Sequence, residues 1–130
     1  MMNDTTNLFR MAKKTEKNSR SPYSLFRVGA AILTDDGSIF TGTNIENASL
    51  GLSICAERVA IFNAISNGYN SFTDLAITSH SDLPTFPCGS CRQVLYELSP
   101  KIRIHIEGND TVFQIKDLLP YAFDAKQLRK

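Results

Sequence analysis

At 130 residues the chain is long enough for one hydrophobic core and too short for two, so residues 1–130 are expected to form a single domain. Fourteen basic residues against thirteen acidic ones leave a formal charge of +1, which argues against the basic surface that a phosphate backbone would require. The stretch 1–17 is polar and broken by charge, with neither a spanning apolar run nor a signal-peptide pattern, and the odd number of cysteines, three, speaks against a disulfide framework. The expectation is a cytoplasmic protein that handles a small molecule and has neither nucleic acid nor membrane as a partner.

Residues 4–17 carry Leu8, Phe9, Met11 and Ala12 at near-helical spacing, with Lys13, Lys14 and Lys17 toward the end that suits cations; a first amphipathic helix is predicted. After a loop at 18–24, Val28, Ala30 and Ile32 alternate in a strand over 26–34. Asp35-Asp36-Gly37 then turns the chain into an antiparallel strand over 38–43. A polar loop carrying Asn44, Glu46 and Asn47 leads to residues 55–67, where Ala56, Val59, Ala60, Phe62 and Ile65 give a broad apolar helical face that stops at Asn67-Gly68. A buried strand over 73–78, a helix over 88–98 ended by Ser99-Pro100 and a strand over 102–107 follow, and this order implies parallel crossovers. Only Gly108-Asn109-Asp110 separates the last of these from a strand at 111–114, a link too short for anything but an antiparallel pair. A short helix over 115–119 ends at Pro120, and the remainder reads as a tail. The expected class is α/β, a mixed five-stranded sheet with helices on its faces.

All three cysteines fall at predicted helix starts. Cys55, Cys88 and Cys91 form a soft, negative ligand set that suits Zn²⁺, and three protein ligands leave a fourth position for water, as in catalytic zinc sites. A structural site would be closed by a fourth ligand, for which His80 and His105 are available, and Cys88-x-x-Cys91 taken alone is also a redox spacing. Glu57 lies in the first turn with Cys55, where free backbone N–H groups and the helix dipole stabilise both a thiolate and a carboxylate; without the cysteines it would read as a simple helix-start carboxylate. The excess negative charge of a three-thiolate site needs a counterweight, which the two helix starts and Arg58 or Arg92 could supply.

Four segments stand in one order along the chain: Val28-Gly29-Ala30-Ala31, Asn44-Ile45-Glu46-Asn47-Ala48, Cys55-Ala56-Glu57-Arg58 and Pro87-Cys88-Gly89-Ser90-Cys91-Arg92-Gln93. In these the chain resembles the cytidine deaminase family, in its small, three-cysteine, homotetrameric class, and a three-cysteine zinc with a non-ligand Glu is a known pattern of nucleobase deaminases. The resemblance, which runs from Pro22 to Phe123, implies a three-layer α/β/α fold and zinc-dependent hydrolysis of cytidine and deoxycytidine to uridine and deoxyuridine plus ammonia, a step of pyrimidine salvage. It implies that Glu57 carries the proton from the attacking water to N3 of the base and then assists ammonia departure, and that Arg58 bonds the cysteine sulfur. Phe26, Asn44, Glu46 and Ala56 would surround the nucleoside, Asn44 and Glu46 reading the ribose. Phe123 would reach the base in a neighbouring subunit of a homotetramer, making the sites composite. On the residues alone, Asn44 and Glu46 are equally loop-capping groups, Phe26 a core aromatic and Phe123 a tail aromatic docked on its own subunit. Leu50 replaces an aromatic common in the family, and the missing helix between the fourth and fifth strands sets the chain apart from polynucleotide deaminases.

Overall fold

Two glycines set how closely the helices approach the sheet. The computed structural model describes residues 4–129, with α1 at Asp4–Glu16, β1 at Val28–Thr34, β2 at Ile39–Thr43 and α2 at Ala56–Ser66. A Cβ built on Gly29 of β1 would lie 2.1 Å from the Ala12 carbonyl oxygen of α1, and one on Gly42 of β2 would lie 2.4 Å from the Ala60 nitrogen and 2.6 Å from the Ala56 oxygen of α2. Only glycine allows both contacts, so α1 rests on one face of the sheet and the first turns of α2 are seated at a fixed depth on the other.

The remaining elements are β3 (Phe72–Ser79), α3 (Gly89–Leu98), β4 (Arg103–Ile106), β5 (Asn109–Gln114) and α4 (Ile115–Leu118). The five strands stand in the order β2-β1-β3-β4-β5. β1 is antiparallel to both β2 and β3, β3 is parallel to β4, and β4 is antiparallel to β5. The expected hairpins and the parallel β3–β4 crossover through α3 are therefore present. The α2 crossover also joins strands of like direction, but β1 lies between them.

The predicted alternation of Val28, Ala30 and Ile32 describes one face of β1, where these residues join Ala60, Leu75, Ile77, Leu95 and Ile104 in the main core. The other face is equally dry. Ala31 and Ala76 pack there with Leu8 and Ala12 of α1, so the strand is apolar on both sides because both sheet faces carry helices. The three layers are α1, the sheet, and α2 with α3. Each fully buried Leu or Ile of the main core contributes roughly 1.5–3 kcal/mol.

Two strand starts differ from expectation by two residues, and the tail is not irregular throughout. β1 begins at Val28, leaving Phe26 outside the ladder. β5 begins at Asn109, directly after Gly108, whose positive φ of 85° makes the turn. The tail is ordered by a 3₁₀ turn, Ala125–Leu128, capped by Asp124, which accepts from the Lys126 N–H at 2.9 Å. Among the described residues no helix is long and apolar enough to cross a membrane.

Candidate active site

The crossovers bring two helix starts to one place. Cys55 is the N-cap residue of α2 and Cys88 that of α3, both in extended backbone conformation, and Cys91 is buried in the first turn of α3. Their sulfurs lie within 4.8 Å of one another. Cys55 Sγ and Cys88 Sγ are 3.6 Å apart, as are Cys88 Sγ and Cys91 Sγ. Sulfurs bound tetrahedrally to zinc at about 2.3 Å are separated by about 3.8 Å. The donor set thus fits one zinc ion, and the three thiols are free of disulfide bonds.

The cluster is electrostatically prepared for a thiolate. Hydrogen bonds, first from Cys91 and then from Arg58 and Cys88, draw the Cys55 pKa down to about 5 against the effect of burial. Cys91 is pushed up, by its bond to Cys55 and by burial. The choice between the two arginines is settled by geometry. Arg58 Nη2 donates to Cys55 Sγ at 3.6 Å. Arg92 instead donates to the Pro87 carbonyl at 2.7 Å and, through Nη1, to the Leu118 carbonyl at 2.8 Å, tying the start of α3 to the end of α4. Neither histidine belongs to the cluster. His80 Nδ1 accepts from the Arg27 N–H at 3.0 Å, and His105 Nε2 bonds Asp74 Oδ2 at 2.7 Å on the α1 face.

Beside the sulfurs opens a cavity of about 260 Å³. Glu57, the second residue of α2, lies in its wall, only 4 % exposed. Burial pushes its carboxyl up to about 7. Phe26, Asn44, Glu46, Cys55, Ala56 and Cys88 also line this cavity, so nearly all the residues singled out from the sequence meet around one space. Phe123 does not line it. That residue is 55 % exposed, and its carbonyl is held by Gln93 Nε2 at 2.8 Å. Leu50 lies in an exposed 3₁₀ turn, Leu50–Leu52, also outside the cavity wall.

Asn44 and Glu46 have local duties as well as a place in the wall. Asn44 Oδ1 accepts from the Val28 N–H at 2.9 Å and the Ser19 hydroxyl at 2.6 Å, while its Nδ2 donates to the Phe26 carbonyl at 2.7 Å. Glu46 accepts from the Tyr23 and Ser24 N–H groups at 3.0 and 3.1 Å and from the Ser24 hydroxyl. The Ser24 hydroxyl is the main reason why the Glu46 carboxyl sits below the usual carboxylate range. Sequence reasoning missed Ser53, Ile54, Thr85 and Phe86 in the wall, and gave Val28 only as a strand residue within one of the matching segments. The first four directly precede Cys55 or the Pro87-Cys88 pair, and chain continuity alone could have placed them.

A sheet that delivers three thiols and a buried carboxylate from two helix starts defines a metal-dependent hydrolytic class of site. The family described as the cytidine and deoxycytidylate deaminase zinc-binding region matches residues 2–106. The chain is 41 % identical over 129 residues to a cytidine deaminase of Halalkalibacterium halodurans, spanning 96 % of this chain and 98 % of that one. Among solved structures, cytidine deaminase from Burkholderia pseudomallei superposes with a TM-score of 0.85 at 43 % identity, covering 90 % and 97 % of the two chains. The enzyme from Mycobacterium tuberculosis does so with 0.83 at 38 % identity, covering 91 % and 95 %. The chain belongs to the cytidine and deoxycytidylate deaminase family, and its cofactor is Zn²⁺.

Proposed function

We propose that this chain is a cytidine deaminase, hydrolysing cytidine and deoxycytidine to uridine and deoxyuridine with release of ammonia in pyrimidine salvage. The observation that carries this reading is the buried Glu57 in the wall of a cavity shared with Cys55 and Cys88, whose sulfurs, with that of Cys91, are spaced for one zinc ion. Cys55, Cys88 and Cys91 hold the metal, which when bound supplies Lewis-acid activation of the attacking water.

Glu57 manages the protons. It takes one from water as the oxygen adds to C4 and gives it to N3; the remaining hydroxyl proton then passes to the amino nitrogen, the C4–N bond breaks, and the carbonyl of the uracil forms. One buried carboxylate serves both transfers, and positioned acid–base catalysis of this kind contributes roughly 10²–10⁴-fold. The starts of α2 and α3 and the Arg58 guanidinium offset the negative charge of three thiolates. Phe26 and Ala56 pack against the nucleoside. Asn44 and Glu46 meet the ribose, their geometry fixed in advance by the loop bonds they make.

The whole chain acts as one domain, in keeping with its one described sheet. It works in the cytoplasm as a homotetramer in which Phe123 of one subunit covers the base in another. What supports the shared site is that Phe123 is exposed and lies outside its own chain's cavity. Co-refolding Glu57→Ala chains with Phe123→Ala chains should restore activity above either parent; mixed tetramers that stay at the parental level would rule the shared site out.

The decisive assay follows loss of cytosine absorbance with cytidine, deoxycytidine, cytosine and CMP. Both nucleosides should be turned over, cytosine poorly because it lacks the hydroxyls that Asn44 and Glu46 meet, and CMP poorly because among the described residues the wall offers its phosphate no cation. Preference for CMP would reassign the enzyme to nucleotides.

A further inference from the structure

Phe26 stands at the mouth of the cavity, 36 % exposed and outside β1, so it lacks the surrounding core that normally fixes an aromatic ring. The ring beside it belongs to His80, at the end of β3. The two rings lie 5.4 Å apart between centroids, tilted by 57°. The chain beneath them is tied in both directions: the Arg27 N–H donates to His80 Nδ1 at 3.0 Å, and the His80 N–H donates to the Arg27 carbonyl at 3.3 Å. Arg27 is the donor of this pair, so His80 Nδ1 is its acceptor. Asn44 fixes the preceding carbonyl, that of Phe26, at 2.7 Å. His80 itself is not among the residues lining the cavity.

We propose that His80 is a positioning residue for nucleoside binding, holding the Phe26 ring in the orientation that the base meets. The inference rests on the deaminase reading above, in which Phe26 packs against the nucleoside. An aromatic side chain ordered before the substrate arrives need not be ordered by it. Loss of that advantage weakens binding by roughly 3- to 10-fold and leaves the chemical step alone.

The test is a double-mutant cycle read through steady-state kinetics with cytidine. His80→Ala should raise KM about 3- to 10-fold with kcat within about 2-fold of wild type and zinc still at one per chain. His80→Asn, which keeps an acceptor for the Arg27 N–H, should recover part of that loss. In the Phe26→Ala background, His80→Ala should add nothing, because the ring it positions is gone. A wild-type KM in His80→Ala, a loss confined to kcat, or additive losses in the double variant would each overturn the proposal. Should His80→Ala fail to fold, the cycle run with His80→Asn decides by the same criterion. A wild-type enzyme inactive on every cytosine nucleoside would overturn the deaminase reading together with this one; activity on cytidine with a KM indifferent to His80 would overturn this one alone.

Discussion

Glu57 and Asp74 are both carboxylates buried in the same small protein, 4 % and 7 % exposed, and the structure treats them in opposite ways. Burial penalises the charge of each. At Glu57 that penalty dominates and the carboxyl rises to about 7, since the neighbouring Arg58 directs its Nη2 to Cys55. At Asp74 burial pushes the same way but loses: Arg103 donates through Nε at 3.0 Å and Nη2 at 2.7 Å, His105 Nε2 adds a bond of 2.7 Å, and the carboxyl is held at about 2. Desolvation alone therefore does not decide what a buried acid does; the partners do. The acid on the α1 face is a clasp between β3 and β4 that stays charged down to strongly acid pH, whereas burial holds the acid at the start of α2 near 7.

The contrast predicts that the two acids fail differently when altered. Glu57→Gln should lower kcat by about 10²–10⁴-fold or more while metal analysis still finds one zinc per chain and circular dichroism finds the native fold, because an amide of the same shape cannot shuttle a proton. Asp74→Asn should leave kcat/KM for cytidine within about 2-fold. Its cost belongs to stability, about 1–3 kcal/mol in urea unfolding at fixed protein concentration, since two donors lose an ionised acceptor.

Acid titration sharpens the same point. The folded Asp74 carboxyl, at about 2, lies below its ordinary value of 3.8, so its stabilising contribution is present above about pH 4 and is lost as the pH falls toward 2. With Arg103 58 % exposed and screened by solvent, the contribution is on the order of 1–2 kcal/mol. Unfolding midpoints of the wild type should therefore drop more steeply than those of Asp74→Asn across that window. The smallest effect is expected from Arg58→Ala, a fall in kcat of only about 2- to 10-fold, because the two helix starts still oppose the charge of the thiolates. A loss as deep as that of Glu57→Gln would place Arg58 among the proton-handling groups.

What was legible in the sequence was whatever depends on near neighbours. Alternation in β1, the Asp35-Asp36-Gly37 turn, the Asn67-Gly68 stop and the three-residue link before β5 located the elements to within two residues, and the cysteines announced themselves because their chemistry suits helix starts. What escaped depends on distant partners. Insertion of β1 between β2 and β3 is a property of the whole sheet. His105 stood in the sequence as an available fourth ligand, and its actual partner was hidden because Asp74 lies 31 residues away on a neighbouring strand. On spacing alone Arg58 and Arg92 were equivalent and only the family resemblance favoured Arg58; what separates them is that Arg92 bonds the Pro87 and Leu118 carbonyls while Arg58 reaches Cys55. The local duties of Asn44 and Glu46 were open for the same reason, since their donors sit well upstream, in the loop before β1 and at its first residue.

Those ties around the cavity also set how fast the wall breathes. The amides of Tyr23, Ser24, Arg27 and Val28 lie outside the sheet or at its end, yet each donates to a side chain, Glu46, Glu46, His80 and Asn44 respectively. Amides held in this way exchange with solvent only when the segment opens. In deuterium the 23–28 stretch should therefore retain its protons far longer than its largely irregular backbone would suggest, exchanging on the timescale of the strands beside it. This side of the cavity is then expected to be rigid before anything binds there.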